Sequence, residues 1–348
     1  MNIAPNSAPK SKRFVIGAAA LIAAIATTSL SGCVKESTPT TGQESITVYS
    51  GRSEDLIAPL LEQFTAESGI AVEVRYSDSA SLAAQILEEG TNVQADVFLS
   101  QDAGALGAVS EAGAFKKLNA DITDLVDAQY RAADGTWVGV SGRSRVISYD
   151  PNQVSETTLP KSIFDLADPS WKGKIGIAPT NASFQGAVTA MRVVKGDAET
   201  LAWLKAMKKN AVLFEKNAQI LEAVENGQIA AGLINHYYWY ERAAEVGADK
   251  MISKMAWFAS GDAGNLINVA GVGVLSDKPE AQTFAKWLLG ESAQTFFVEK
   301  TAEYSLIGLP SREGLRALAD IPAVKIDLSA LAPLAKTLEL IRDAGLTD

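Results

Sequence analysis

One cysteine and one histidine in 348 residues exclude several kinds of chemistry at once. A structural zinc site, a disulfide framework and a Cys–His catalytic pair each need more of these side chains than the chain contains. Aromatic residues are sparse at 7%, and cations are in deficit, with 31 Lys and Arg against 41 Asp and Glu and a net charge of −10. Nucleic-acid recognition needs a basic face, so no nucleic-acid partner is expected. Long apolar runs are missing too, apart from one near the N-terminus. What remains is ordinary globular chemistry, 47% apolar and 21% charged, enough for one large domain or two medium ones with a sizeable core.

Lys10, Lys12 and Arg13 precede an apolar run, Phe14 to Leu30, broken only by small residues. That is the pattern of a secretory signal peptide. The run ends Leu30-Ser31-Gly32-Cys33, which resembles the lipobox of bacterial lipoproteins. The resemblance implies that Cys33 is acylated and becomes the first residue after cleavage, which gives the chain's one cysteine a role. The alternative is a membrane anchor followed by a chance cysteine, but the run falls short of the ~20 residues a span needs. Residues 1–32 are thus expected to be a signal peptide, and residues 33–44 a lipidated Cys with a flexible, Ser/Thr-rich tether. The segment before Cys33 carries three cations and no acid, so its removal takes the charge from −10 to −13. The rest of the chain is expected on the extracytoplasmic face, held to the membrane by lipid.

The body alternates strand and helix. Ser45 to Tyr49 is a β-rich run, followed by Ser53 as a plausible N-cap and by Leu56, Ile57, Leu60, Leu61 and Phe64 at helical spacing. Pro59 falls inside that pattern, which predicts a helix either kinked or regular only from Pro59 onward. Ala71 to Tyr76 and Ala95 to Ser100 read as further strands, each followed by a helix, and three βα units in a row predict a parallel sheet. Trp137 to Tyr149 reads as extended chain. A second alternating series follows, with helices predicted over 184–195, 198–209, 218–226 and 237–246 and strands between them. Asn268 to Leu275 reads as a late strand, followed by helices over 279–289 and 291–299, and 329–345 as a last amphipathic helix. The pattern predicts an α/β fold of two lobes, with ligands in the cleft at the strand C-termini.

In such a sheet the first residues after each strand face the cleft, where helix N-termini offer free N–H groups to anions. This rule selects Gly51 to Ser53, Ser77 to Ser81, Ser100 to Asp102, Thr180 to Ser183, Asn217 and Asn235 to Tyr238. Most are small and polar, and any one of them can equally be an ordinary cap or turn. The unusual segment is Asn235-His236-Tyr237-Tyr238-Trp239-Tyr240, directly after an apolar strand. Adjacent tyrosines on a helix body point about 100° apart, whereas at a strand-to-helix junction they can converge. Phenols are hard oxygen ligands of high pKa, and only a strongly Lewis-acidic cation such as Fe³⁺ deprotonates two of them at neutral pH. The competing reading places these rings in the core or in an interface.

From Ser45 to about Leu306 the chain resembles the ferric-iron-binding proteins of bacterial ABC importers. The stretches that carry the likeness are ITVYSGRSE, ADVFLSQDAGAL, SGRSRVISYD, WKGKIGIAPT, AVENGQIAAGLINHYYWY and VAGVGVL. The resemblance implies a two-lobed periplasmic-binding-protein fold of type II, with 45–143 and about 268–316 in one lobe, and 144–267 and about 317–348 in the other. It implies that Tyr237 and Tyr238 supply phenolates to Fe(III), that Arg143 holds a synergistic anion, and that Asn181, Ser183, Asn217 and Asn235 help bind it. Arg52 is expected to balance excess negative charge, Arg145 to pair structurally, and His236 to lie at the surface or behind the ligands. The chain departs from the family pattern at Ser53, Gln101 and Phe184, where members use histidine, a carboxylate or a third tyrosine. Ser53, Gln101 or neighbouring Asp102 are the candidates for further ligands, with carbonate, phosphate or citrate filling the rest. An ABC permease and ATPase are the implied partners of a monomeric receptor.

A second binding reading keeps the fold and changes the cargo to an oxyanion such as molybdate, a phosphorylated compound or a thiamine-like cation, which leaves the paired tyrosines unexplained. An enzyme is not expected. No GxSxG occurs after residue 33, and Glu88/Glu89 read as a solvated helix end rather than a glycosidase dyad.

Overall fold

The computed structural model describes residues 44–347. The proposed signal peptide, Cys33 and nearly all of the tether lie outside the described residues.

The chain opens with β1 (Ser45–Ser50), α1 (Glu54–Ser68), β2 (Ala71–Tyr76), α2 (Ser79–Glu89), β3 (Val97–Ser100) and α3 (Ala103–Glu111). The predicted βα repeats are present, and β1 pairs in parallel with both β2 and β3. Helix α1 runs unbroken from Glu54 through Pro59, so regularity does not wait for the proline. Pro59 is exposed, its ring faces solvent, and the cost is one missing bond to the carbonyl of Asp55. A short turn of helix, α4 (Ala120–Thr123), leads to the 13-residue β4 (Trp137–Tyr149).

Next come β5 (Ile175–Ile177), α5 (Ala182–Lys195), α6 (Asp197–Asn210), β6 (Ala211–Leu213), α7 (Asn217–Glu225), β7 (Ala231–Asn235), α8 (Tyr237–Val246) and β8 (Lys254–Ala256). The chain then returns through β9 (Ile267–Val274), α9 (Pro279–Trp287), α10 (Glu291–Thr301) and α11 (Leu334–Asp343). The last helix is shorter than the expected 329–345. Residues Leu328–Leu331 form a separate 3₁₀ turn, and Pro333 stands between the two pieces, where its missing N–H and its ring interrupt a continuous helix.

The strands follow the order β2-β1-β3-β9-β4-β7-β5-β6, with β8 also paired to β4. Strand β4 belongs to both halves of this arrangement. Its residues through Ser144 pair with β9, and from Arg145 onward it pairs with β7. Each half has its own core: one is built around Phe64, Phe98, Trp137 and Phe297, the other around Phe184, Trp203, Met207 and Ile341. Close approach in the second half depends on Gly232 in β7, where a Cβ would lie 2.1 Å from Cγ2 of Ile220. With no side chain there, α7 settles onto the sheet and delivers its first residue, Asn217, to the interior.

Candidate functional site

The site forms where β4 passes from one half to the other. Period-two alternation puts Ser141, Arg143 and Arg145 on one face of that strand, and all three are buried. A register shift between Gly139 and Ser141 is a bulge of the kind that re-aims side chains, and here the Ser141 hydroxyl donates to Glu303 Oε2 at 2.6 Å. Glu303 also takes Arg52 Nη1 at 2.9 Å, and both side chains are only 2% exposed. The backbone supplies Glu303 through a left-handed turn: Ala302 ends α10 with φ +52, which aims the next residue inward. Burial works to raise the Glu303 carboxyl, but Arg52 and Arg143 hold it below the usual carboxylate range.

Sequence reasoning missed Glu303. It follows Glu299 and Lys300 at the end of a helical pattern, and nothing in that pattern separated it from a solvated helix end.

Arg143 is 2% exposed, and its Nε and Nη2 have no partner among the described residues. Burial lowers its pKa, and Glu303 and Tyr237 act against that fall. Nη1 meets Gln101: with the amide turned to satisfy both ends, Gln101 Oε1 accepts from Arg143 at 3.3 Å while its nitrogen donates to the Gly51 carbonyl at 3.1 Å. Arg52 likewise leaves Nε and Nη2 unpaired. Arg145 is committed as expected, donating to Asn235 Oδ1 at 3.4 Å and to the Leu233 carbonyl at 3.1 Å. Burial brings it down to about 10.

The two tyrosines do converge. They are the first two residues of α8, and their rings stack with centroids 4.3 Å apart and planes 29° apart. Tyr237 is buried and Tyr238 partly so. Burial, and then the neighbouring phenol of Tyr238, push the Tyr237 hydroxyl well above the ordinary tyrosine value, while Arg143 pulls it back. Both phenols lie within electrostatic reach of Arg145.

His236 is fully buried, so of the two expected placements, at the surface or behind the ligands, the surface one is excluded. Its Nδ1 accepts from the Ser144 backbone N–H at 3.2 Å, and its Nε2 faces the Ala302 carbonyl at 2.7 Å. That pairing sets the neutral tautomer with the proton on Nε2, and burial brings its pKa down to about 4. With both nitrogens engaged, His236 is no metal ligand here; its ring meets Tyr237 edge-on at 6.0 Å and stacks on Tyr304 at 4.7 Å.

Asn181, Ser183 and Asn217 form one cluster. Asn181 caps α5 by accepting from the Ser183 N–H at 3.0 Å, and Asn217 Nδ2 donates to both Ser183 Oγ and Asn181 Oδ1. Asn217 Oδ1 and Asn235 Nδ2 remain unpaired though buried. A cavity of about 540 Å³ reaches from Asn181 and Lys216 to Asp78, Gln101 and Asp102, so the α5 and α7 caps face the loops that follow β2 and β3. Asp102 is occupied as the cap of α3, accepting from Ala105 N–H at 3.0 Å; burial pushes its carboxyl up, and Arg143 opposes the shift. Ser53 is exposed and makes no cap bond. Phe184 packs into the core on Trp203, so no polar group stands where a third tyrosine was sought.

Buried donors and acceptors are ordinarily satisfied. Here Arg52, Arg143, Asn217 and Asn235 each keep an unpaired polar atom, an arrangement suited to an anion beside two phenols.

Residues 92–321 match the model of the family described as bacterial extracellular solute-binding protein. The Fe(3+)-binding periplasmic protein of Serratia marcescens is 36% identical over 308 residues, covering 87% of this chain and 91% of its own. The crystal structure of iron-bound HitA from Pseudomonas aeruginosa superposes with a TM-score of 0.82 at 34% identity, over 87% of this chain and 99% of that one. A Trichodesmium structure in complex with iron and citrate ligands gives 0.76 at 27% identity, over 87% and 100%. The mixed α/β fold is the two-lobed type II arrangement of periplasmic binding proteins. The chain belongs to the bacterial extracellular solute-binding protein family.

Proposed function

We propose that this protein is an extracytoplasmic receptor for ferric iron that hands its cargo to an ABC permease and its ATPase. Tyr237 and Tyr238 supply two phenolates. Fe³⁺ with two phenolates keeps about one positive charge, which a bound anion offsets in a closed cleft. Arg143 holds that anion through its free Nε and Nη2, with Asn235, Asn217, Ser183 and Asn181 lining the approach and Arg52 adding positive charge. Ser53, Gln101 and Asp102 stay in reserve: one is exposed, one is tied to Arg143 and one caps a helix. The remaining positions are filled from outside by carbonate, phosphate, citrate or water. Names of relatives that bind ferric iron, and one neighbour with iron and citrate, support this reading.

We infer two lobes, 45–143 with 268–316 and 144–267 with 317–348, that close on the metal about the β4 crossover. The reading includes no catalysis. It keeps the lipid on Cys33 as the anchor of a monomer; no helix among the described residues is long and apolar enough to cross a membrane.

The observation that carries the proposal is the stacked phenol pair beside buried arginine donors that lack partners. Added ferric citrate should give the purified protein a visible tyrosinate-to-iron charge-transfer band. Tyr237→Phe and Tyr238→Phe should each shift and diminish that band and weaken binding by about 100-fold or more, since each removes one of two anionic ligands; the double variant should abolish it. A colourless wild type that binds molybdate or thiamine tightly by calorimetry would replace iron with another cargo. Arg143→Ala should lower iron affinity in carbonate- or phosphate-containing buffer and erase the dependence on the anion; equal affinity with and without the anion would remove Arg143 from this role.

A further inference from the structure

A second cavity, of about 500 Å³, opens along α8, and neither tyrosine of the phenol pair lines it. Its apolar lining comes from Trp239, Tyr240, Met255 and Trp257, and its charged lining from Arg312 and Arg316. The polar atoms of these rings are already used. Trp239 Nε1 donates to the Ser253 carbonyl at 3.0 Å, Trp257 Nε1 to Ser144 Oγ at 2.8 Å, and the Tyr240 hydroxyl to the Gly314 carbonyl at 2.8 Å. What the rings offer an occupant is therefore apolar surface, and Met255 adds an adaptable thioether.

The cations are placed differently. The Arg316 guanidinium lies 4.4 Å from the Trp257 ring centroid, and stacking leaves its N–H edge free to meet an anion. Neither Arg312, Arg316 nor the adjoining Lys254 forms an ion pair among the described residues. Glu313 is the one acid in the lining, so the cavity is net positive on a chain whose overall charge is −10. The volume falls within the range that holds small organic ligands.

We propose that this cavity is a second binding site, distinct from the ferric cleft, for a small planar aromatic carboxylate. The flat ring lies among the indoles, and the carboxylate is met by Arg312 and Arg316. A neutral aromatic would forgo the arginines, and an aliphatic carboxylate would forgo the indoles. The site does not depend on the iron reading, because it shares no side chain with the phenol pair or the anion donors.

The test uses 2-naphthoate, titrated calorimetrically into the purified protein, with 5-fluorotryptophan labelling to follow Trp239 and Trp257 by ¹⁹F NMR. One saturable site is expected, with both resonances moving together. Arg316→Glu and Arg312→Glu, at positions only exposed or half-buried, should each weaken binding about tenfold or more, as loss of a charge-assisted contact requires. 2-Naphthalenemethanol and cyclohexanecarboxylate should bind at least about tenfold more weakly than 2-naphthoate by the same reasoning. Tyr237→Phe should bind naphthoate as the wild type does while its iron band shifts and diminishes, which separates the two sites. The proposal is overturned by no saturation at about 1 mM, by affinity unchanged in both charge reversals, or by loss of binding in Tyr237→Phe.

Discussion

Two arginines and one carboxylate are buried together beside Tyr237, so removing the carboxylate leaves two cations in the interior without a counter-charge. Glu303→Gln strands Arg52, whose Nη1 it holds at 2.9 Å. Breaking one side of a buried pair costs about 3–5 kcal/mol, whereas removing both sides costs much less. Urea unfolding of the metal-free protein should therefore show a large loss in Glu303→Gln, and Arg52→Met combined with Glu303→Gln should recover most of it. Equal losses in the single and double variants would mean that Glu303 acts through packing alone. His236 gives a second prediction at this scale. Its folded pKa of about 4 lies below the ordinary value of 6.5 because burial disfavours the cation. The charges that reach it are Glu303, which favours protonation, and Arg143, which opposes it. The unfolded chain thus binds the proton first as pH falls. Stability from this group is complete above about pH 6.5 and is lost progressively down to about pH 4. Between pH 7 and 5 it should amount to about 2 kcal/mol. His236→Gln, which can keep an acceptor and a donor in place, should show a shallower fall in stability over that interval by the same amount. Parallel pH profiles for the two proteins would contradict the buried neutral imidazole.

At the scale of elements, the sequence was most readable where a period repeats. The βα units over 45–113, the four helices between 182 and 246 and the strand ahead of the tyrosines all stand within a few residues of their expected places. Prolines were harder to read. Pro59 sits in an unbroken helix while Pro333 ends one piece and starts another, and only the tertiary setting distinguishes them: Pro59 faces solvent. The three-residue β8 was not legible, since Lys-Met-Ala has neither alternation nor the β-branched residues that marked the equally short β5 and β6. The Pro59 observation can be tested. Pro59→Ala restores an N–H for the Asp55 carbonyl at an exposed helical position. Proline costs a helix interior about 3 kcal/mol, and the freer unfolded chain returns up to about 1 kcal/mol of that. A net gain of about 2 kcal/mol in chemical denaturation is expected, with the iron band unchanged. A loss of stability would show that the helix start is held by something other than its own hydrogen bonds.

Over the whole molecule, what stayed hidden was long-range juxtaposition. Arg52 and Glu303 are 251 positions apart, and the chain pattern offers no means of pairing them; the same holds for β9 inserting between β3 and β4. The tyrosine pair and Arg143 were legible because they lie in short, distinctive stretches, whereas a lone buried acid does not. The same long-range closure makes cargo a global stabiliser. A ligand that binds the folded form alone adds about 4 kcal/mol when present at a thousand times its dissociation constant. For a protein of this size, with an unfolding entropy of about 2.1 cal/mol/K per residue, 1 kcal/mol moves the melting temperature by about 1.5 °C, so ferric citrate in large excess should raise it by about 6 °C. Tyr237→Phe should nearly keep the metal-free melting temperature, because the side-chain hydrogen bond it gives up is to the neighbouring Tyr238, and should lose about two-thirds or more of the ferric increment. Citrate without iron separates the parts played by anion and metal: a small increment is expected from the anion on Arg143, and most of the rise should need both. If citrate alone reproduces the full rise, the arginine cluster rather than the phenol pair is the seat of binding, and the receptor's cargo is the anion.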